Sequence, residues 1–442
     1  MATNHGISFM RYLFAEVTRG YLLEENEQLY TEKQRRFHTF MKTPRELEKL
    51  MVFGLFICLD TFLFVFTLLP VRACLAVLTC IYRLVTCCRQ SLLEPSQKCD
   101  IIRATILVLG SAGLGYLDTS ALYHVIRGQS VIKLYVMYNM LEIFDRLLAS
   151  IGQDTLDSLY WVACDKSKNY FAAAFYFAIA TIYVLTHSTV LLVEAVTLNV
   201  AINSHNKALL TIMISNNFVE LKGSVFKKFE TDNLFQMSCS DIRERFHYVV
   251  LMTVVSMRNL EQFHWDYNHL ETLIPHILLV LCGEVVVDWI KHAFITKFND
   301  ITPDIYQKYK AILSKDLAVS RHRNVHSEHS DLVSRRMGFT PIPLGCLVWQ
   351  TVNQSLTFPG VSGKLFLVVC FLCLVTMKVL VGICLLGHAC KYRQATDISP
   401  GRSSSGQNPS RPPKPTEKQI KSNSGKALSD VDRYTLCSNR IE

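Results

Sequence analysis

A single long apolar run constrains the fold of this chain more than any other feature. It extends from Tyr170 to Ile202 and is interrupted only by His187 and Glu194. A helix needs about 20 apolar residues to cross the hydrocarbon core of a bilayer, which is roughly 30 Å thick. The run exceeds that length, so we expect it to tilt within the membrane or to project beyond its surface. The chain is therefore predicted to be an integral membrane protein.

Further apolar segments have the composition of membrane helices, in agreement with a hydrophobic content of 50%. They are Met51 to Pro70, Val71 to Cys88, Ile101 to Leu117, Leu273 to Ile290 and Leu365 to Ala389. Six crossings would place both termini in the cytosol, but they leave the basic residues 291–363 on the lumenal side, against the positive-inside rule. An eight-crossing alternative adds His124 to Ile151 and Gly338 to Phe358, and it returns residues 291–337 to the cytosol.

The sequence thus predicts an all-α fold: a polytopic membrane helix bundle with six to eight membrane segments, amphipathic surface helices and a disordered C-terminal tail. The predicted regions are a cytosolic N-terminal region (1–50), a first group of membrane helices (51–202) that includes the amphipathic segment 124–151, an amphipathic connector (203–245), a second group of membrane helices (246–390) with a polar loop at 291–337, and a disordered basic cytosolic tail (391–442).

Two local patterns refine this arrangement. Thr43, Pro44 and Glu46 have the spacing of a helix start, so we expect a helix to begin there. Asn353 is the usable N-glycosylation acceptor of the sequence, because Asn408 is followed by a proline. Modification of Asn353 would place this residue in the lumen, as the six-crossing arrangement requires.

The charge and cysteine content indicate which partners to expect. The net charge of +9 is spread over several loops, and no nucleic-acid-binding motif accompanies it. In a membrane protein such an excess of Lys and Arg reflects topology and contact with anionic lipids, so we expect membrane lipids, and no nucleic acid, as partners. Most of the 15 cysteines lie inside apolar segments, where they pack as small hydrophobic residues, and they predict no disulfide framework.

The sequence contains no motif that predicts catalysis or cofactor binding. Gly360 to Lys364 resembles part of a phosphate-binding loop but lacks the upstream glycine and the hydroxyl residue after the lysine. His322, His326 and His329 lie in a polar, serine-rich stretch, which favours a solvated loop over a metal site. We therefore expect no enzyme activity, no metal and no cofactor.

Carboxylates within the predicted membrane segments are candidate functional residues, because burying a charge there is costly. They are Asp60, Glu194, Glu284 and Asp288. One interpretation is that they bind ions in a transporter or channel, and the other is that they pair with neighbouring cations at helix interfaces. Glu284 and Asp288 share one helix face, with Lys291 and His292 just beyond, which favours pairing.

The stretch SNNFVELKGSVFKKFETDNLFQ, residues 215–236, follows the longest apolar run and has an apolar stripe at helical spacing. We expect an amphipathic helix from Asn216 to Glu230 that lies against the bilayer or the bundle, since burial of each large apolar side chain is worth roughly 1.5–3 kcal/mol. Gly223 weakens an isolated helix by about 1 kcal/mol. The predicted surface for a partner or membrane comprises Phe218, Leu221, Lys222, Val225, Phe226, Lys227, Lys228 and Phe229.

Two longer stretches resemble a known family. YHVIRGQSVIKLYVMYNMLEIFDRLLASIGQDTLDSLYW (Tyr123 to Trp161) and the segment from His187 to Phe246 closely resemble the transmembrane anterior posterior transformation protein family of eukaryotic polytopic membrane proteins. The stretches HAFITKFNDI (His292 to Ile301) and SRRMGFTPIPL (Ser334 to Leu344) are similar to it as well. The resemblance covers about residues 44 to 390.

The resemblance implies residence in the endoplasmic reticulum membrane. Similar fungal proteins form a complex with a SUN-like membrane protein and protect newly made soluble proteins of this compartment, so a SUN-domain-like membrane partner is implied. In animals the family is linked to primary cilium formation, to the ciliary base or centrosome, and to axial skeletal patterning. No catalytic residue is established for the family, which implies a non-enzymatic scaffold or adaptor of undetermined oligomeric state.

Overall fold

The computed structural model describes residues 9–18, 27–86, 93–164, 170–203, 219, 221–323, 336–355 and 360–397. Every labelled element within these ranges is an α-helix, so the predicted all-α fold is confirmed. The helices are α1 (Phe9–Val17), α2 (Glu27–Phe66), α3 (Leu68–Val85), α4 (Pro95–Gly115), α5 (Thr119–Arg127), α6 (Val131–Cys164), α7 (Tyr170–Asn203), α8 (Thr231–Gln262), α9 (Tyr267–Phe298), α10 (Ile305–Arg323), α11 (Pro341–Ser355) and α12 (Gly360–Asp397).

Helix α7 forms the centre of the bundle because its sequence is apolar on every face. A helix with no polar side has no face that prefers water, and it is stable when other helices or lipid surround it. From Leu191 to Ile202 nearly every side chain of α7 is buried. Helices α4, α5, α6, α8 and α11 pack around it.

Helix α2 continues through the position where the sequence predicts a helix start. Pro44 lies inside α2, which already begins at Glu27, so that prediction is wrong. The Thr43 hydroxyl, expected to cap a helix, instead donates to the Thr39 carbonyl at 2.8 Å. Leu47 and Leu50, one turn further on, are fully buried, and their burial stabilises the continuous helix despite the proline.

Within the described residues, four stretches are long and apolar enough to cross a membrane: Tyr30–Val85, Tyr170–Asn203, Asn268–Phe298 and Gly363–Lys391. The pair α4 and α5, bent by 57°, gives a fifth if it counts as one span. The resulting four to five spans are fewer than the six to eight membrane segments predicted, because α2 and α3 form one stretch. In addition, α11 has only 15 residues and is buried along most of its length. A short helix surrounded by protein belongs to the core of the bundle rather than spanning a bilayer.

Several predicted region boundaries fall inside helices. The boundary between 245 and 246 lies within α8, and the predicted polar loop 291–337 contains the end of α9 and all of α10. Helix α10 is held in place by burial, since Tyr306 and Tyr309 are fully buried. The predicted tail begins at 391, whereas α12 extends to Asp397. Residues 398–442, assigned above to that tail, lie outside the described residues.

Candidate functional site

A group of buried charged side chains connects α2, α8, α9 and α10, and we call it the buried ionic network. Its members are Glu48 of α2, Asp241 and Arg245 of α8, Asp288, Lys291 and His292 of α9, and Tyr306 of α10. All except Glu48 are buried. Charges in such a position require partners, because the loss of hydration costs several kcal/mol per ion.

Asp288 lies at the centre of this network between two cations. Arg245 Nε donates to Asp288 Oδ2 at 2.7 Å, and Lys291 Nζ lies 2.9 Å from Asp288 Oδ1. Arg245 also donates through Nη1 to Glu48 Oε1 at 2.7 Å. The same Glu48 oxygen accepts from Trp289 Nε1 at 2.7 Å. The arginine therefore links α8 to both α2 and α9.

Asp241 extends the network toward α10. Lys291 Nζ lies 3.0 Å from Asp241 Oδ1, and His292 Nε2 lies 2.8 Å from Asp241 Oδ2. The other imidazole nitrogen of His292 is 2.8 Å from the Tyr306 hydroxyl. Burial raises the pKa of the Asp241 carboxyl, but Lys291 and His292 together hold this pKa below its ordinary value. Asp241 is therefore a carboxylate at neutral pH.

A second polar group lies between α6, α7 and α8. His187 Nε2 is 2.8 Å from Asp145 Oδ1, and His187 Nδ1 is 2.9 Å from the Tyr183 hydroxyl. His247 Nε2 lies 3.4 Å from Glu194 Oε2. Burial lowers the pKa of His247, but the carboxylates of Asp145 and Glu194 outweigh it and raise this pKa to about 9. His247 is therefore a cation at neutral pH and neutralises Glu194.

Asp60 has a different partner from the other predicted carboxylates. Its Oδ1 lies 2.6 Å from Lys378 Nζ, which joins α2 to α12. Apart from this lysine, much of α12 between Leu365 and Ile383 exposes large apolar side chains. The ion pair is consequently a specific attachment of an otherwise lipid-compatible helix to the bundle.

The four predicted carboxylates do not form one site. Asp60 contacts α12, Glu194 contacts α8, and Asp288 contacts α8 and its own helix α9. Asp288 pairs with Lys291, a neighbour that the sequence interpretation named. Glu284 is buried one turn before Asp288. The structure thus distributes these acids over several helix interfaces.

Asp241, Arg245, Asp145 and His247 were not identified from the sequence as site residues. The first two lie in the part of α8 that was assigned to the amphipathic connector 203–245. A usable signal was their spacing: Asp241 and Arg245 are four residues apart and so project from one face of a helix. Their partners on α2 and α9 depend on tertiary packing, which that spacing does not specify.

The predicted surface stretch is partly docked. Phe218 lies outside the described residues; residues 221–225 are helical and residues 226–230 are not, so the helix ends before the predicted Glu230. It ends because the Phe229 N–H donates to Asn299 Oδ1 at 2.9 Å instead of to its own helix. Val225 is buried, and Leu221 and Phe229 are half-buried. Phe226, which is 79% exposed, stacks on Phe298, while Lys222, Lys227 and Lys228 are exposed.

The remaining sequence candidates lie apart from these networks. Asn353 is exposed near the end of α11, and the Ser355 hydroxyl of its acceptor motif donates to Glu261 Oε2 at 2.6 Å. Its glycosylation stays a prediction. His326 and His329 lie outside the described residues, and the part of the chain that is described contains no group of three or more His, Cys, Asp or Glu positioned for a metal.

A model of a family described as a eukaryotic membrane protein family matches residues 93–394. Transmembrane anterior posterior transformation protein 1 homolog of Homo sapiens is 52% identical over 394 residues, which cover 87% of this chain and 69% of that protein. Its Xenopus laevis counterpart is 44% identical over 500 residues, with 99% and 91% covered. This chain belongs to the transmembrane anterior posterior transformation protein family. A Drosophila melanogaster member, Protein TAPT1 homolog, is 42% identical over 393 residues, which cover 87% of this chain and 58% of that member.

Membership of the family confirms the resemblance found in the sequence. No solved structure matches the chain. The matched residues 93–394 contain the second polar group and all of the buried ionic network except Glu48 on α2. The names of the human and Xenopus members describe transmembrane proteins.

Proposed function

We propose that this protein is a non-enzymatic, multi-pass scaffold or adaptor of the endoplasmic reticulum membrane. The observation that carries the proposal is the pairing of the buried carboxylates within the fold. Asp60, Glu194 and Asp288 each lie within ion-pair distance of a cationic side chain from another helix. Breaking such a pair leaves an uncompensated buried charge, so these residues fix helix positions.

The surface that binds the partner is the exposed part of the stretch after α7. Phe226 presents an aromatic ring outside the bundle, and Lys227 and Lys228 follow it directly. An aromatic anchor beside basic residues suits a partner with an apolar pocket bordered by acidic groups. We propose a SUN-domain-like membrane protein as that partner, as the family resemblance implies. Membrane lipids contact the remaining apolar exterior.

The biological role that we propose follows the family. The names of the vertebrate members refer to anterior posterior transformation, which is a change in axial patterning. We propose that the complex protects newly made proteins in the endoplasmic reticulum and that, in ciliated animal cells, the protein also acts at the ciliary base or centrosome. In this role the protein holds its partner in place and transforms no substrate.

Affinity purification of the full chain from endoplasmic reticulum membranes, with the SUN-domain-like partner measured by mass spectrometry, tests the proposal. We expect the partner to co-purify with wild type and its recovery to fall at least several-fold for Phe226→Ser. Phe144→Ser, which alters an exposed phenylalanine of α6, is the matched control and should leave recovery unchanged. Equal recovery for Phe226→Ser would show that the proposed surface does not hold this partner.

The alternative function, an ion or solute transporter that uses the buried carboxylates, has a direct test. Purified protein in liposomes should give no ion flux above that of empty liposomes. A flux that is present in wild type and abolished by Glu194→Gln would overturn the scaffold proposal, because the Glu194 carboxylate would then be a transport group. Glu142→Gln, on α6 and paired with Arg146 at 2.7 Å, is the control for loss of a single acid.

A further inference from the structure

Two cysteines from different helices lie in contact at one end of the bundle. Cys99 is in the second turn of α4, and Cys164 is the last residue of α6. Their Sγ atoms are 3.4 Å apart. Cys99 is only 1% exposed, whereas Cys164 is half-buried. Cys164 is therefore the more accessible of the two residues.

The surrounding side chains hold both helices at this contact. Arg103, one turn after Cys99, places its guanidinium 4.6 Å from the centre of the Tyr160 ring, one turn before Cys164. A cation over an aromatic face is attractive, and more so where water is excluded. Cys164 Sγ also lies 3.6 Å from the Pro95 carbonyl oxygen at the start of α4. The Arg103–Tyr160 contact thus positions the two helices without involving the sulfur atoms, and the Pro95 carbonyl contacts the Cys164 thiol.

A disulfide has an S–S bond of about 2.05 Å, and its formation requires the two sulfur atoms to approach along the bond direction. The two Sγ atoms, now 3.4 Å apart, must therefore come about 1.4 Å closer to form this bond. The sequence interpretation assigned most of the cysteines of this chain to packing and predicted no disulfide framework. The contact between Cys99 and Cys164 adds a chemical possibility that neither residue has alone.

We propose that Cys99 and Cys164 form a redox-active dithiol that is oxidised to an intramolecular disulfide by a low-molecular-weight disulfide such as glutathione disulfide. Cys164, the accessible thiol, loses its proton and attacks one sulfur of the reagent, which forms a mixed disulfide and releases one thiolate that takes up the proton. Cys99 then loses its proton and attacks Cys164 Sγ, which closes the Cys99–Cys164 bond and releases the second small thiol. The protein is oxidised by two electrons and the reagent is reduced by two.

Oxidation joins the start of α4 covalently to the end of α6. Because α6 packs along α7 and carries Asp145, the bond fixes one end of a helix that contributes to the second polar group. Reduction by excess small thiol restores the two separate cysteines. The proposal is independent of the scaffold function, since it concerns only the chemistry of these two residues.

The test uses the full chain reconstituted in lipid. The protein is incubated with glutathione disulfide, free thiols are blocked with N-ethylmaleimide, and a non-reduced digest is analysed by mass spectrometry. We expect a linked peptide that contains Cys99 and Cys164, lighter by two hydrogen atoms than the two separate peptides. Dithiothreitol before blocking should remove it. In Cys99→Ala, Cys164 should instead keep a stable glutathione adduct, because the second thiol is missing.

Cys282→Ser, which changes an exposed cysteine of α9, is the matched control and should leave the linked peptide unchanged. A wild-type protein that carries a stable glutathione adduct on Cys164 and no linked peptide would overturn the proposal. A bond from either residue to another cysteine would do so as well. The measurement on wild type decides the question by itself, so the outcome does not depend on the folding of the variants.

Discussion

Replacement of Arg245 by methionine is the sharpest perturbation of the buried ionic network. Methionine replaces the aliphatic part of the side chain but removes the guanidinium group with its charge and all its donors. Arg245 is only 5% exposed and bonds both Asp288 and Glu48. The substitution therefore leaves two carboxylates without one of their cations while the packing of α8 is largely retained.

The expected loss of stability follows from these contacts. A hydrogen bond to a charged group contributes roughly 1.5–3 kcal/mol, and Arg245 makes two of them. Asp288 keeps Lys291 at 2.9 Å, which limits the cost of leaving its buried charge without the arginine. Glu48 is partly exposed, so water replaces some of its lost interaction. We therefore expect a destabilisation of about 3–5 kcal/mol, the range for removing one partner of a buried ion pair.

Arg36→Met supplies a matched control because Arg36 also has two carboxylate partners. It lies 3.0 Å from Glu32 and 3.1 Å from Asp300, but its side chain is 46% exposed. Exposed pairs of this kind contribute about 0–1 kcal/mol. The assay is thermal unfolding in detergent followed by intrinsic fluorescence. For a chain of 442 residues, Arg245→Met should lower the midpoint by about 3–5 °C and Arg36→Met by no more than about 1 °C.

The double variant Arg245→Met with Asp288→Asn tests the pairing itself. Because the two side chains share one interaction, the double variant should be more stable than the sum of the single losses predicts, by at least about 1 kcal/mol. Additive losses, or an Arg245→Met midpoint equal to that of Arg36→Met, would refute the reasoning that the network stabilises the fold through this ion pair.

Two further predictions concern other parts of the bundle. A methyl group added at Gly152 would collide with the Tyr183 hydroxyl, whereas one added at Gly223 meets no atom within 4 Å. Gly152→Ala should therefore lower the unfolding midpoint and Gly223→Ala should not, as measured by the same assay. The raised pKa of His247, about 9 against an ordinary 6.5, means that its charge stabilises the fold fully below pH 6.5 and that this stabilisation is lost as pH rises through 9. The unfolding midpoint of wild type should fall between pH 7 and pH 10 by an amount equivalent to on the order of 3 kcal/mol. His247→Gln should make the midpoint less dependent on pH over this range. An equally steep fall in His247→Gln would contradict the conclusion that the charge of His247 stabilises the fold.

The sequence predicts those features that depend on long local patterns. Tyr170–Asn203 is recovered as a membrane helix because its apolar residues cover every face and leave a single interpretation. The all-α fold and the family membership were also predicted correctly from such patterns. Pro44 shows the limit of local rules: capping residues in the right order predict a helix start, yet burial of the following turn maintains a helix that began earlier.

The buried ionic network and the second polar group were harder to predict from the sequence, for a physical reason. Hydropathy averages a segment, and in α8 the charged run of Asp241, Arg243, Glu244 and Arg245 outweighs the apolar signal of Ile242 and Phe246. A buried charge is compatible with a bundle interior only when its partners are present. Those partners, such as Glu48 on α2 and Asp288 on α9, lie far away in the sequence. The same limit applies to Asp60, whose partner is on α12.

Helix α8 is the element on which these interactions converge. Along its length Asp241 and Arg245 contact α9, His247 contacts Glu194 of α7, Tyr248 contacts α6 through a 2.9 Å hydroxyl pair, and Asn259 donates to α7. Successive residues of a helix project about 100° apart, so a rotation of α8 by one residue would separate all of these groups from their partners. Each separated group would be buried without a hydrogen bond at a cost of roughly 1–3 kcal/mol. The polar residues of α8 therefore select one orientation of this helix among the many that its apolar residues alone would allow.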